Sequence, residues 1–211
     1  MATASRPQSP PAARVPAPGT RMTLDEFMAL PDDTRAELVD GVLVMSPPAG
    51  APHGDVNMRL AGLLTAHVYP RDLGYLFDSS TAFLLRPAPP LVRSPDVAFV
   101  PKDRLPNGVP SGPVTAPPAL AVEVMSPSDR PGEVARKVSE YFRHGCALVW
   151  VVDPDDRSVT VHAGGPFPQW LGEADTLDGG AVLPGFSAPV AALFAGLARD
   201  GVREDVREGA G

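Results

Sequence analysis

The sequence predicts an α/β (α+β) domain, a central mixed sheet flanked by helices. Two nearly continuous apolar runs, at residues 119–125 and 148–152, have the length of buried strands rather than of helices. A short helical pattern, residues 132–144, lies between them. Upstream, residues 53–68 place Val56, Leu60, Leu63, Leu64 and His67 or Val68 on one helical face.

The elements follow in chain order. Residues 1–20 are Pro, Ala, Ser and Arg without periodicity and are expected to be a disordered tail. A single domain is expected over 21–198, with a polar tail at 199–211. Thr23 and Glu26 have the spacing of a capping box, so a short helix starts there and stops at Pro31. Asp32, Asp33 and Thr34 form a second cap or a turn. Residues 36–45 are two apolar runs around Asp40-Gly41, the signal of a β-hairpin. A loop from Pro47 to Pro52 leads into the helix at 53–68. Strands are expected at 75–78, 81–85 and 95–100, with a Pro-rich connection at 86–93. A long Pro/Gly loop spans 101–118, either functional or mobile at that length. The turn at 126–129 caps the helix at 132–144, and Gly145 stops it. Asp153-Pro154-Asp155-Asp156 turns the 148–152 strand into an alternating strand at 158–162. Beyond that the pattern weakens to an edge strand at 181–183 and a terminal helix at 189–197.

At 211 residues, with 44% hydrophobic and 20% charged, the chain suits one domain with a sizeable core. The net charge of −7 argues against a surface coated for non-specific nucleic-acid binding, without excluding a local basic groove. The single cysteine, Cys146, allows no internal disulfide. No apolar run is long enough for a membrane span or a signal-peptide core, so the expected location is cytoplasmic.

The chemistry centres on two acids inside strand patterns. Period-2 alternation puts Leu120, Val122 and Val124 on one face of their strand and Ala121, Glu123 and Met125 on the other. A carboxylate in mid-strand is costly unless it is paired, metal-bound or reached by solvent. Asp96 opens the neighbouring candidate strand. Two converging acids repel unless a cation or a shared proton lies between them, and hard oxygen ligands suit Mg²⁺ or Mn²⁺. On the following helix, Lys137 falls about 60° from Val134, beside the buried stripe of Val134, Val138 and Tyr141. It can bend towards the sheet or simply snorkel. Glu37 is a third acid at the site or a hairpin surface residue, and His53 a cap, a phosphate contact or a bystander. The chain lacks Gly-x-Ser-x-Gly, a phosphate-cradling Gly-Lys-Ser loop and Gly-x-Gly-x-x-Gly.

These pieces resemble the Uma-type family of restriction-endonuclease-like proteins, a branch of the PD-(D/E)XK nuclease superfamily. The carriers are the hairpin from Ala36 to Pro47, His53 after a proline, and Ser94-Pro95-Asp96-Val97-Ala98-Phe99-Val100. To these are added Val122-Glu123-Val124-Met125-Ser126-Pro127-Ser128, Arg136-Lys137 with Tyr141, and Trp150-Val151-Val152-Asp153-Pro154. The resemblance implies a restriction-endonuclease-like fold and an Mg²⁺-dependent phosphodiesterase site (Mn²⁺ as a substitute). Carried over by position, Asp96 and Glu123 are metal ligands, with Glu37 as a further acid. The superfamily lysine would fall on Met125, a departure, and Lys137 on the next helix takes its role. The implied activity is hydrolysis of DNA, and a homodimer is expected, above all for an inactive module. The alternatives are an inactive interaction module that keeps the fold, and a hydrolase acting on RNA or another phosphoester.

Overall fold

The computed structural model describes residues 15–31 and 33–198. Among the described residues three α-helices, α1 (Leu24–Met28), α2 (Ala51–Val68) and α3 (Pro131–Arg143), accompany twelve strands. A six-stranded mixed sheet forms the centre, in the order β10-β9-β8-β7-β6-β3. Its members are β3 (Gly74–Asp78), β6 (Val97–Pro101), β7 (Leu120–Val124), β8 (Leu148–Asp153), β9 (Ser158–His162) and β10 (Gln169–Leu171). Only β7 and β8, joined through α3, run parallel; every other pair in this sheet is antiparallel.

A second sheet has the order β2-β1-β5-β4, from β1 (Ala36–Val39), β2 (Val42–Met45), β4 (Phe83–Pro87) and β5 (Pro90–Arg93). The Asp40-Gly41 turn closes its first hairpin with both residues at positive φ, 53° and 74°, the conformation of a type I′ turn. Thr23 and Glu26 complete the capping box of α1. Residues 19–22, partly within the stretch expected as tail, hydrogen bond along the first hairpin through Gly19, Thr20 and Met22. Residues 1–14 of that tail and the tail at 199–211 lie outside the described residues.

The two faces of the large sheet are packed differently. Val97, Phe99, Leu120, Val122, Val124, Trp150 and Val152 face α2, and with Val56, Leu60, Leu64 and Val68 they form the main core. Phe186, Val190, Leu193 and Phe194 extend it. On the other face, α3 and the small sheet supply smaller apolar clusters: Val138 and Tyr141 with Ala121, Val149 and Val151, and Phe83 with Ala98 and Val100.

Three expectations need correction. The 86–93 connection contains β5, which pairs with both β4 and β1. The edge strand expected at 181–183 is a turn; the strands nearby are β11 (Thr176–Asp178) and β12 (Ser187–Pro189), paired with each other. The terminal helix is only a 3₁₀ turn, Val190–Leu193, because its apolar residues are fixed by the core rather than by helical hydrogen bonding. The 101–118 loop is pinned at its middle by Val114, which bonds to Ala82 and Leu84 and is buried beside Phe83.

Candidate active site

Asp96 and Glu123 meet where β6 begins. β6 and β7 are antiparallel with Val97 opposite Val122. Asp96, immediately before that pair, lies beside Glu123 at the same end of the sheet. Two hydrogen bonds clamp Asp96 to β7 on either side of Glu123. The Asp96 amide donates to the Val122 carbonyl at 2.9 Å, and the Val124 amide donates to Asp96 Oδ2 at 2.8 Å.

Glu123 is 8% exposed. Lys137 Nζ donates to its Oε2 at 2.7 Å and the Tyr141 hydroxyl to its Oε1 at 2.6 Å. Lys137 and Tyr141 are four residues apart on α3, so one helix face delivers both. The lysine does bend inward, as its position beside the stripe allows. Burial pushes the Glu123 carboxyl up to about 7, opposed by Lys137 and reinforced by Glu37 and Asp96. Burial disfavours the Lys137 charge, yet the Glu123 and Glu37 carboxylates outweigh it and raise the ammonium's pKa. Burial also lifts the Tyr141 phenol well above its ordinary value, so it remains a donor.

Glu37 approaches from β1 and is 4% exposed. Its Oε2 accepts from Arg93 Nη1 at 2.5 Å, and its Oε1 accepts from the Ser94 amide at 3.1 Å. Lys137 Nζ lies 3.8 Å from Oε1. Arg93, 1% exposed, also grips Glu140 of α3 through Nε at 2.8 Å and through Nη2. The small sheet, the large sheet and α3 are thus tied by one buried ionic chain. Sequence reading missed Arg93 and Glu140 in this role: they are 47 residues apart, and neither position reads as buried. Tyr141 was assigned to the apolar stripe, although its hydroxyl needs a partner once buried.

His53, in the first turn of α2, places Nε2 3.3 Å from Asp96 Oδ2. That hydrogen bond raises the imidazole's pKa against the opposing effect of burial, with the charges of Asp96, Asp129 and Glu123 adding to it.

Residues 24–191 match the Uma2 family, described as "Putative restriction endonuclease". The chain belongs to the Uma2 family. This Uma2 chain is also similar to a solved protein from Anabaena variabilis ATCC 29413, described as "a putative nuclease belonging to DUF820". Identity is 20%, the TM-score is 0.73, and the match covers 82% of this chain and 98% of the other. That likeness shows that the two chains share a fold. None of the curated proteins compared is significantly similar to it. No helix among the described residues is long and apolar enough to cross a membrane.

The donor set can be tested against a divalent ion. Among the described residues no three His, Cys, Asp or Glu side chains are grouped as metal ligands. Two clustered carboxylates, one of them lifted to about 7 by burial and by its acidic neighbours, are nonetheless a site that a cation would relieve. Mg²⁺ is commonly held by one or two carboxylates, with water and substrate phosphate completing its shell. Asp96 and Glu123 fit that description through the lone pairs left beside those that the Val124 amide, Lys137 and Tyr141 occupy.

Proposed function

We propose that this Uma2 protein is a metal-dependent endonuclease that hydrolyses DNA phosphodiester bonds. The observation that carries this reading is the cluster of Asp96, Glu123 and Lys137 at the end of β6 and β7, supported by the family match. Asp96 and Glu123 would hold Mg²⁺ or Mn²⁺ by their carboxylate oxygens. Bound there, the ion would lower the pKa of a water and offset phosphate charge.

The chain's own groups prepare the rest. The backbone clamp of Asp96 on β7 fixes the two acids relative to each other. Tyr141 and Lys137 orient the Glu123 carboxylate. Lys137, with 27% of its side chain exposed, is the cation that can face the attacked phosphate. Glu37, the third acid expected, has its oxygens engaged by Arg93, Ser94 and Lys137, and in this proposal it backs the lysine rather than meeting the metal first. The homodimer is kept as part of the proposal. Phe167 and Trp170, 86% and 63% exposed beside and on the edge strand β10, support such a contact.

The test is plasmid cleavage with Mg²⁺ and Mn²⁺ for wild type, Asp96→Ala, Glu123→Ala and Lys137→Ala. Both acid variants should lose at least about a hundredfold in rate, and Lys137→Ala about tenfold to a thousandfold. Circular dichroism should show the fold intact. Absence of cleavage by wild type with either metal, together with no calorimetric metal binding, would overturn the proposal in favour of the interaction module.

A further inference from the structure

The proposed hydrolysis leaves His53 without a role, although its ring touches Asp96. His53 stands in the first turn of α2, an 18-residue helix. Val56, three residues on, and Leu60, seven on, share its helix face and are fully buried in the core under the sheet. Their packing sets the phase that turns His53 towards the end of β6 and β7. The cap of α2 is Gly50, with no side-chain hydrogen bond, so His53 does not serve as the cap. What it meets is Asp96. Nε2 stands 3.3 Å from Oδ2, and both side chains are largely shielded, 17% and 16% exposed. Oδ2 also accepts from the Val124 amide at 2.8 Å. A carboxylate oxygen has two lone pairs, and these two donors fill them. Oδ1 accepts no hydrogen bond among the described residues.

We infer that His53 is a positioning residue for Asp96, holding Oδ2 beside β7 so that Oδ1 is the oxygen left for a divalent cation. The inference rests on the nuclease reading, and its test separates the two. Each acid is then held by a different helix. Lys137 and Tyr141 of α3 fix Glu123, while His53 of α2 joins the Val124 amide in fixing Asp96. A carboxylate held by one donor can turn about its Cβ–Cγ bond, and a second donor on the same oxygen restrains that rotation. Partners placed behind a metal ligand in this way fix its orientation and raise its affinity for the ion. The role needs only a proton on Nε2. One neutral tautomer and the imidazolium both carry it, so the role does not depend on the charge of the ring. With Nε2 spent on Asp96, the ring acts through the acid rather than on the ion.

The test is calorimetric binding of Mn²⁺ to the full chain without DNA, for wild type, His53→Phe, His53→Ala and His53→Gln. Phenylalanine keeps a ring and removes the donor. Glutamine returns an N–H at the same number of bonds from the backbone as Nε2. His53→Phe and His53→Ala should bind Mn²⁺ about tenfold to a hundredfold more weakly, and His53→Gln should stay close to wild type. Circular dichroism checks the fold, and if His53→Phe fails to fold, His53→Ala carries the comparison. Unchanged affinity in the variants without a donor would overturn the role and return His53 to a phosphate contact or a bystander. Failure of glutamine to restore binding would overturn it as well, leaving the ring as a ligand or as packing. Plasmid cleavage separates the two readings. His53-dependent Mn²⁺ binding without cleavage by wild type would keep the positioning role and remove the nuclease. Cleavage by wild type with Mn²⁺ affinity indifferent to His53 would do the reverse. No Mn²⁺ binding by wild type would overturn the positioning role, and the nuclease too if cleavage is also absent.

Discussion

The two faces of the six-stranded sheet solve the same packing problem by opposite means. Towards α2 the sheet presents Val97, Phe99, Leu120, Val122, Val124 and Trp150, and the seal is mostly apolar, with His67 of α2 buried edge-on against Phe186. Towards α3 and the small sheet, the same strands present Glu123, and the seal includes Glu37, Arg93, Lys137, Glu140 and Tyr141, while Asp96, just before β6, meets His53 of α2. Replacing a buried ionic chain by apolar groups is often neutral or stabilising. Its presence on one face only therefore points to a use beyond stability. The apolar face holds the strands in register so that the charged face can spend its interactions on fixing Glu123.

The largest effect expected on stability comes from Arg93→Ala. It leaves Glu37 and Glu140 buried without their shared cation, at a cost of about 3–5 kcal/mol in urea unfolding. Leu64→Ala on the other face should cost about 3 kcal/mol by cavity formation alone. Unlike Arg93→Ala, it should leave the pH dependence of stability unchanged. An Arg93→Ala cost no greater than that of a surface arginine would break the contrast between the faces.

The third test is Glu123→Gln in the presence of a chelator. Burial holds the folded carboxyl above the usual unfolded carboxylate value, so the folded state binds the extra proton between those limits. Wild-type stability should therefore fall as pH rises through that window and level off above it, by on the order of 3 kcal/mol. The glutamine variant should show a flatter profile by that amount, measured by denaturation from pH 4 to 9. A matching slope in both proteins would mean that Lys137 and Tyr141 fully offset the burial of Glu123. The smallest effect is expected from Tyr141→Phe, which keeps the ring and removes one donor to a charged group, costing about 1.5 kcal/mol.

What could be read from the sequence follows the same division. Local signals sufficed where one residue pair decides the geometry, as at Thr23 with Glu26 and at Asp40 with Gly41. The apolar periodicity of α2 picked out Val56, Leu60 and Leu64 because that face meets the sheet directly. Strand β5 was hidden because the prolines at 89 and 90, strong turn markers, obscure a four-residue strand. The expected helix at 189–197 had the right spacing but only a 3₁₀ turn formed, since the contacts of Phe186, Val190 and Phe194 with the core set the path. At the site, the strand pattern gave the face of Glu123, and the family resemblance singled out Asp96 and Lys137, the second of which does reach Glu123. Arg93 and Glu140 left no mark in the sequence, because an ion pair across 47 residues has no periodicity.

Helix α3 carries Lys137, Glu140 and Tyr141 within one turn, and the position two after Glu123 is the apolar Met125. The cation is thereby uncoupled from the strand that bears its acid and is governed by helical phase instead. Position 125 is released to vary with the packing around it. The five residues from Met125 to Asp129 become the timing element of the site. One residue added or lost there would turn the helix by about 100° unless the cap reset it. Lysine, tyrosine and glutamate would then leave their partners together, a lesion that no single substitution in α3 could reproduce.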